Sequence, residues 1–110
     1  MRVSLSLGSS LAKYLFKKKF LSKERLPLVL MLEVTHLCNL ACEGCGRIRE
    51  YKETMREMLS VEECIQAVDE CPAPVVTVTG GEPLMHPEID KIISAIIEKK
   101  RHIYLCTNGI

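Results

Sequence analysis

Three short apolar runs of strand length are separated by two segments of helical periodicity, and that alternation restricts the chain to a parallel α/β fold. The first run, Leu28-Val29-Leu30-Met31-Leu32-Glu33-Val34, is continuous rather than alternating. Such a run predicts a strand buried on both faces of a parallel sheet. The second, Pro74-Val75-Val76-Thr77-Val78-Thr79, is β-branched, which suits a pleated strand. The third is Ile103-Tyr104-Leu105-Cys106. Between the first two, Ser60-Val61-Glu62-Glu63 reads as a capping box, and Val61, Cys64, Ile65 and Val68 share one helical face until Cys71-Pro72 ends it. Between the last two, His86-Pro87 is expected to open a helix with proline at its first position. Its buried stripe is Ile89, Ile92, Ile93, Ile96 and Ile97. Residues 47–58 are polar and read as loop or irregular helix.

The order strand–helix–strand–helix–strand predicts parallel strands with right-handed crossovers. Ligands of such sheets gather at the carboxyl ends of the strands. All three unusual loops follow a strand: the cysteine loop, Gly80-Gly81-Glu82-Pro83 and Thr107-Asn108-Gly109. They are expected to converge on one rim. At 110 residues the chain amounts to one small domain, and 47% apolar content supplies a core. Three strands do not close a barrel, and eight βα units take roughly 250 residues. The expectation is the amino-terminal part of a partial (β/α) barrel over residues 27–110, truncated after the third strand, with a leader over residues 1–26.

Net charge is +1, which gives no pull toward nucleic acid. The leader is basic, however: Arg2, Lys13, Lys17, Lys18, Lys19, Lys23 and Arg25 face a single Glu24. Residues 11–21 read as a short helix with one apolar side, capped by Ser10. It is either a leader packed on the domain or an interfacial helix that gives peripheral membrane contact. Lysines interrupt every apolar run before Lys23, so no secretory signal is visible. Six cysteines admit a disulfide framework or reduced thiols; without a secretory signal the cytoplasm is the expected compartment.

Cys38, Cys42 and Cys45 lie in one loop at C-x3-C-x2-C spacing. Taken alone, this spacing fits zinc, a ferredoxin-type site, or an iron–sulfur cube. In a cube, three thiolates leave one of four irons without a protein ligand and open to a small molecule. Combined with Gly80-Gly81-Glu82-Pro83 at the end of the second strand, the pattern resembles the radical S-adenosylmethionine (SAM) superfamily. The resemblance implies that Cys38, Cys42 and Cys45 hold a [4Fe–4S] cluster and that SAM chelates the fourth iron. It implies that Gly80, Gly81, Glu82 and Pro83 receive the SAM amino group, with glycines allowing close backbone approach. An electron from the reduced cluster, supplied by a flavodoxin or ferredoxin, then splits SAM into methionine and a 5′-deoxyadenosyl radical. Asn108 either borders SAM or organises its turn. The residue before the third cysteine is commonly aromatic in this superfamily; here it is Gly44, so no adenine contact is assigned.

Leu59-Ser60-Val61-Glu62-Glu63-Cys64, Ala67-Val68-Asp69-Glu70-Cys71, Tyr104-Leu105-Cys106-Thr107-Asn108 and residues 26–33 and 38–46 resemble the hopanoid-biosynthesis radical SAM proteins of the adenosylhopane synthase type. That resemblance implies addition of the adenosyl radical to the terminal alkene of a hopene, diploptene. The product radical must then gain a hydrogen atom. Cys106 is expected to donate it, since an S–H bond is weaker than an alkyl C–H bond. A membrane-resident triterpene would also account for the basic leader. Two other readings stand beside this one: hydrogen abstraction from a peptide or small metabolite, and a non-catalytic iron–sulfur electron carrier. Cys64 and Cys71 read as structural, His36 as a loop spacer or a donor behind the cluster, His86 as a helix start and His102 as a strand entry. Glu33 faces either a cavity or a structural hydrogen bond, and residues 99–101 read as a solvated helix end.

Overall fold

A computed structural model describes residues 4–21, 26–46 and 50–110. Arg2, Lys23, Glu24, Arg25 and Arg47 lie outside the described residues. The elements are helix α1 (Leu5–Leu21), strand β1 (Val29–Glu33), helix α2 (Val61–Glu70), strand β2 (Val75–Thr79), a 3-10 turn (Pro83–Met85), helix α3 (Ile89–Glu98) and strand β3 (His102–Leu105). The strands form one parallel sheet in the order β1-β2-β3. Val29 pairs with Val75 and Val75 with His102, while Leu32 pairs with Val78 and Val78 with Leu105.

Local chemistry explains the helix ends. Ser60 Oγ accepts from Glu63 N at 3.1 Å, and Glu63 Oε2 accepts from Ser60 N at 2.7 Å. Two otherwise orphaned amides are thereby satisfied at the start of α2. α1 starts at Leu5, not near Leu11. Its cap is Ser4, whose Oγ accepts from Leu7 N at 3.2 Å, while Ser10 lies within the helix. α3 starts at Ile89, not at His86-Pro87. The amides of Met85 and His86 are spent on Glu82 O and Pro83 O, and His86 Nδ1 accepts from Glu88 N at 3.1 Å. These bonds hold a turn ahead of the helix. Arg101 is not a solvated helix end: its guanidinium donates to Ala73 O at 2.6 Å.

Leu32, Val34, Val76 and Val78 of the sheet side pack against Cys64 and Val68 of α2 and Ile92 and Ile96 of α3. Both helices lie on one face, the geometry of two crossovers of the same hand. Side chains alternate between faces, so the other face carries Val29, Met31 and Tyr104. The expectation that β1 is buried on both sides is therefore corrected, since Met31 is 68% exposed. Ile97 also departs from the expected stripe and faces outward. Residues 51–59 run back beside the end of β1. Thr35 forms a single antiparallel bridge with Met58, and Leu59 N donates to Val34 O at 2.9 Å. Among the described residues, no helix is long and apolar enough to cross a membrane.

Candidate functional site

Three loops leave the carboxyl ends of β1, β2 and β3 and are bonded to one another. The first two meet through backbone. Gly81 N donates to Thr35 O at 2.8 Å, and Glu82 N donates to Leu37 O at 2.7 Å. A Cβ on Gly80, whose φ is 152°, would collide with Thr35 O, and one on Gly81 with Leu37 O. The glycine pair is therefore required for the second loop to lie on the first. Thr35 is fully buried, and its Oγ1 accepts from Leu37 N at 3.1 Å, which fixes the turn entering the cysteine segment.

Glu82 ties the second loop to the third. Its carboxylate is 2% exposed. Oε1 accepts from Leu84 N at 3.0 Å and from Thr107 Oγ1 at 2.8 Å; Oε2 accepts from Asn108 N at 2.8 Å. Burial pushes this carboxyl upward, but the amides of Asn108 and Leu84 and the Thr107 hydroxyl outweigh it. The net result lies below the ordinary value, as hydrogen bonds to the charged form require. At neutral pH Glu82 is a buried acceptor spent on three donors from its own chain.

The third loop returns to the first. Asn108 Nδ2 donates to Asn39 Oδ1 at 2.8 Å and lies 4.0 Å from Cys38 Sγ. Asn39 Nδ2 donates to Ile110 O at 2.9 Å, and Ile110 N donates to Asn108 Oδ1 at 3.0 Å. Leu40 N lies 3.5 Å from the same sulfur. Cys38 thus has two N–H groups directed at it.

Cys38 and Cys45 are half-buried, Cys42 is exposed, and all six thiols of the chain are free. Cys45 N donates to Cys42 O at 3.2 Å across a turn in which Gly44 has φ 78°. That left-handed conformation favours glycine over an aromatic residue. Among the described residues, no three His, Cys, Asp or Glu side chains are gathered tightly enough to hold a single metal ion. A cube makes a different demand, because each thiolate sits on its own iron. Three free thiols on one loop, one of them supplied with N–H donors, fit that demand.

Cys106 lies just past β3. Its amide donates to Val78 O at 2.9 Å, and its thiol is exposed. By alternation it sits with Tyr104 on the face of the sheet opposite α2 and α3. His36 stacks on Tyr51 with centroids 4.2 Å apart, and its Nδ1 lies 3.0 Å from Thr54 O, which ties the cysteine loop to residues 51–58. His86, 3% exposed, bridges to Leu59 O through Nε2 at 2.7 Å. Glu33 lines a cleft of about 350 Å³ with His36, Glu57 and Glu63. The bonded cluster therefore joins Cys38, Gly81, Glu82 and Asn108, with Pro83 buried at the start of the 3-10 turn. Sequence reasoning did not single out Thr35, Asn39 or Thr107. The available signals were Asn39 directly after the first cysteine and Thr107 directly before Asn108.

Residues 32–110 match the family model of the Radical SAM superfamily. The chain belongs to that superfamily. Membership implies a [4Fe–4S] cluster, S-adenosylmethionine and a source of electrons. The PqqA peptide cyclase of Granulibacter bethesdensis is 29% identical over 87 residues, covering 76% of this chain and 23% of the relative. The antilisterial bacteriocin subtilosin biosynthesis protein AlbA of Bacillus subtilis is 27% identical, covering 96% and 24%. The GTP 3′,8-cyclase of Aquifex aeolicus is 34% identical over 89 residues, covering 74% and 28%. The chain spans about a quarter of the length of these curated relatives. No solved structure matches it.

Proposed function

We propose that residues 27–110 are the amino-terminal part of a radical SAM enzyme core in which Cys38, Cys42 and Cys45 carry the cluster. The backbone of Gly80, Gly81, Glu82 and Pro83 and the side chain of Asn108 border the SAM position. When bound and reduced, the cluster supplies the electron that splits SAM into methionine and a 5′-deoxyadenosyl radical. The protein groups hold the geometry. Glu82 locks the second and third loops, the glycine pair seats the second loop on the first, and Asn108 with Leu40 N directs donors at Cys38. The observation that carries this reading is the bonding of all three strand-end loops into one unit around Cys38.

The reaction proposed is abstraction of a hydrogen atom from a C–H bond of a peptide or small metabolite, giving 5′-deoxyadenosine and a substrate radical. The relatives support this class, since their names point to a peptide, a bacteriocin and GTP as the molecules they serve. Adenosylation of a hopene stands as a second reading. It is favoured by the exposed Cys106 thiol at the rim, which suits hydrogen-atom donation to a product radical.

The test is anaerobic reconstitution of the full-length protein with iron and sulfide, followed by SAM and dithionite. Methionine and 5′-deoxyadenosine are expected, and both are expected to vanish in Cys38→Ala, Cys42→Ala and Cys45→Ala. A fully cysteine-ligated cluster in the wild-type protein that is indifferent to SAM would mark an electron carrier instead. With diploptene present, an adenosylated triterpene in place of free 5′-deoxyadenosine would select the second reading.

A further inference from the structure

α1 has two unlike sides. One holds the domain: Leu7 is buried, Ser10 Oγ lies 3.0 Å from His102 Nε2, and Tyr14 donates its hydroxyl to Pro27 O at 2.9 Å. At 3.6 residues per turn these three positions share one side. The opposite side carries Leu5, 93% exposed, Phe16, 68% exposed, and Phe20, 73% exposed. The two rings pack on each other with centroids 4.7 Å apart rather than on the sheet. Lys13 and Lys19 are exposed on the two flanks of this patch, Lys17 is exposed nearer the Ser10 edge, and α1 contains no Asp or Glu.

We propose that this side of α1 docks on an anionic lipid bilayer. Leu5, Phe16 and Phe20 enter the interfacial layer, and Lys13, Lys17 and Lys19 meet lipid phosphates. The argument is one of charge and shape. An apolar strip bordered by exposed lysines, with no acid on the element, complements a surface that is apolar beneath and negative above. The domain-binding side points the other way, so packing against the sheet does not consume this strip. A single short helix with a narrow apolar strip binds weakly and reversibly, which is regulation of place rather than permanent anchoring. The bonds to Pro27 and His102 put α1 at the amino-terminal ends of β1 and β3, while the bonded loops lie at the carboxyl ends. The contact therefore places the enzyme at a membrane without requiring its substrate to be a lipid, and it stands or falls separately from the proposed reaction.

Flotation of the full-length protein with phosphatidylcholine–phosphatidylserine vesicles, against phosphatidylcholine alone, tests it. Recovery with the anionic vesicles is expected, falling as salt rises. Phe16→Ser/Phe20→Ser and Lys13→Glu/Lys17→Glu/Lys19→Glu are each expected to reduce partitioning by about tenfold or more, with unchanged thermal midpoints. Equal recovery on both vesicle types, or no recovery of the wild-type protein, overturns the proposal. A lowered midpoint for the serine variant, with wild-type protein that does not float, shows the strip to be covered by the protein itself and also overturns it.

Discussion

Glu82 sits within a sequence that resembles a ligand-binding motif, yet its carboxylate is turned inward. Three donors from two loops converge on it, so its first task is mechanical. Glu82→Gln keeps the shape but turns one acceptor into a donor that faces an N–H. It is expected to cost about 1–3 kcal/mol, the penalty of an unsatisfied buried group, measured by urea unfolding of the full-length protein. The pH dependence has a definite sign. The folded carboxyl titrates below its unfolded value, so its contribution is complete above the unfolded value and is lost as pH falls through the folded one. The stability gap between wild type and Glu82→Gln is therefore expected to be constant at neutral pH and to shrink as pH drops below the ordinary carboxylate range. A gap that widens on acidification would contradict the strut. Cys64 offers a second residue-level check. Burial first, then Glu63, pushes its thiol up to about 11, which makes it a poor nucleophile. Alkylation of the native apo-protein is expected to label Cys42 and Cys106 and to spare Cys64 until denaturant is added.

At the scale of elements, the second loop is held against the first by atoms that leave no room for a side chain. Gly81→Ala must separate the loops or bend the turn. A loss of about 1–3 kcal/mol, typical of overpacking, is expected, together with poorer cluster incorporation read from the iron content of reconstituted full-length protein. Normal iron content in that variant would show the loop contact to be dispensable. The elements themselves were legible where local chemistry decides: the Ser60–Glu63 box, the β-branched 74–79 run and the isoleucine stripe each mark one element. The misplaced boundaries have a common cause. Ser4 won the cap over Ser10, and the turn at Pro83–Met85 took the amides that the sequence assigns to a helix start, because both outcomes depend on competing partners nearby. The cysteines and the glycine pair were legible as a site because their spacing is chemical. The Glu82–Thr107–Asn108–Asn39 cluster was not, because it joins residues about 25 to 70 apart through loop geometry that no local period encodes.

For the molecule as a whole, two helices cover one face of a three-stranded parallel sheet, and every bonded loop of the candidate site emerges from the same end of it. α1 lies at the other end. That separation leaves the proposed docking side of α1 clear of the bonded loops, and the placing of the loops follows the general rule that ligands gather beyond the carboxyl ends of parallel strands. In the proposed reading this segment supplies Cys38, Cys42 and Cys45 on a loop whose first residues, Thr35 and Leu37, are bonded to Gly81 and Glu82 of the second loop. Electron paramagnetic resonance of reduced, cluster-loaded full-length protein tests this most directly, using SAM labelled with ¹⁵N in its amino group and ¹⁷O in its carboxylate. A changed signal with hyperfine coupling from both labels is expected. A signal identical with and without SAM would contradict it.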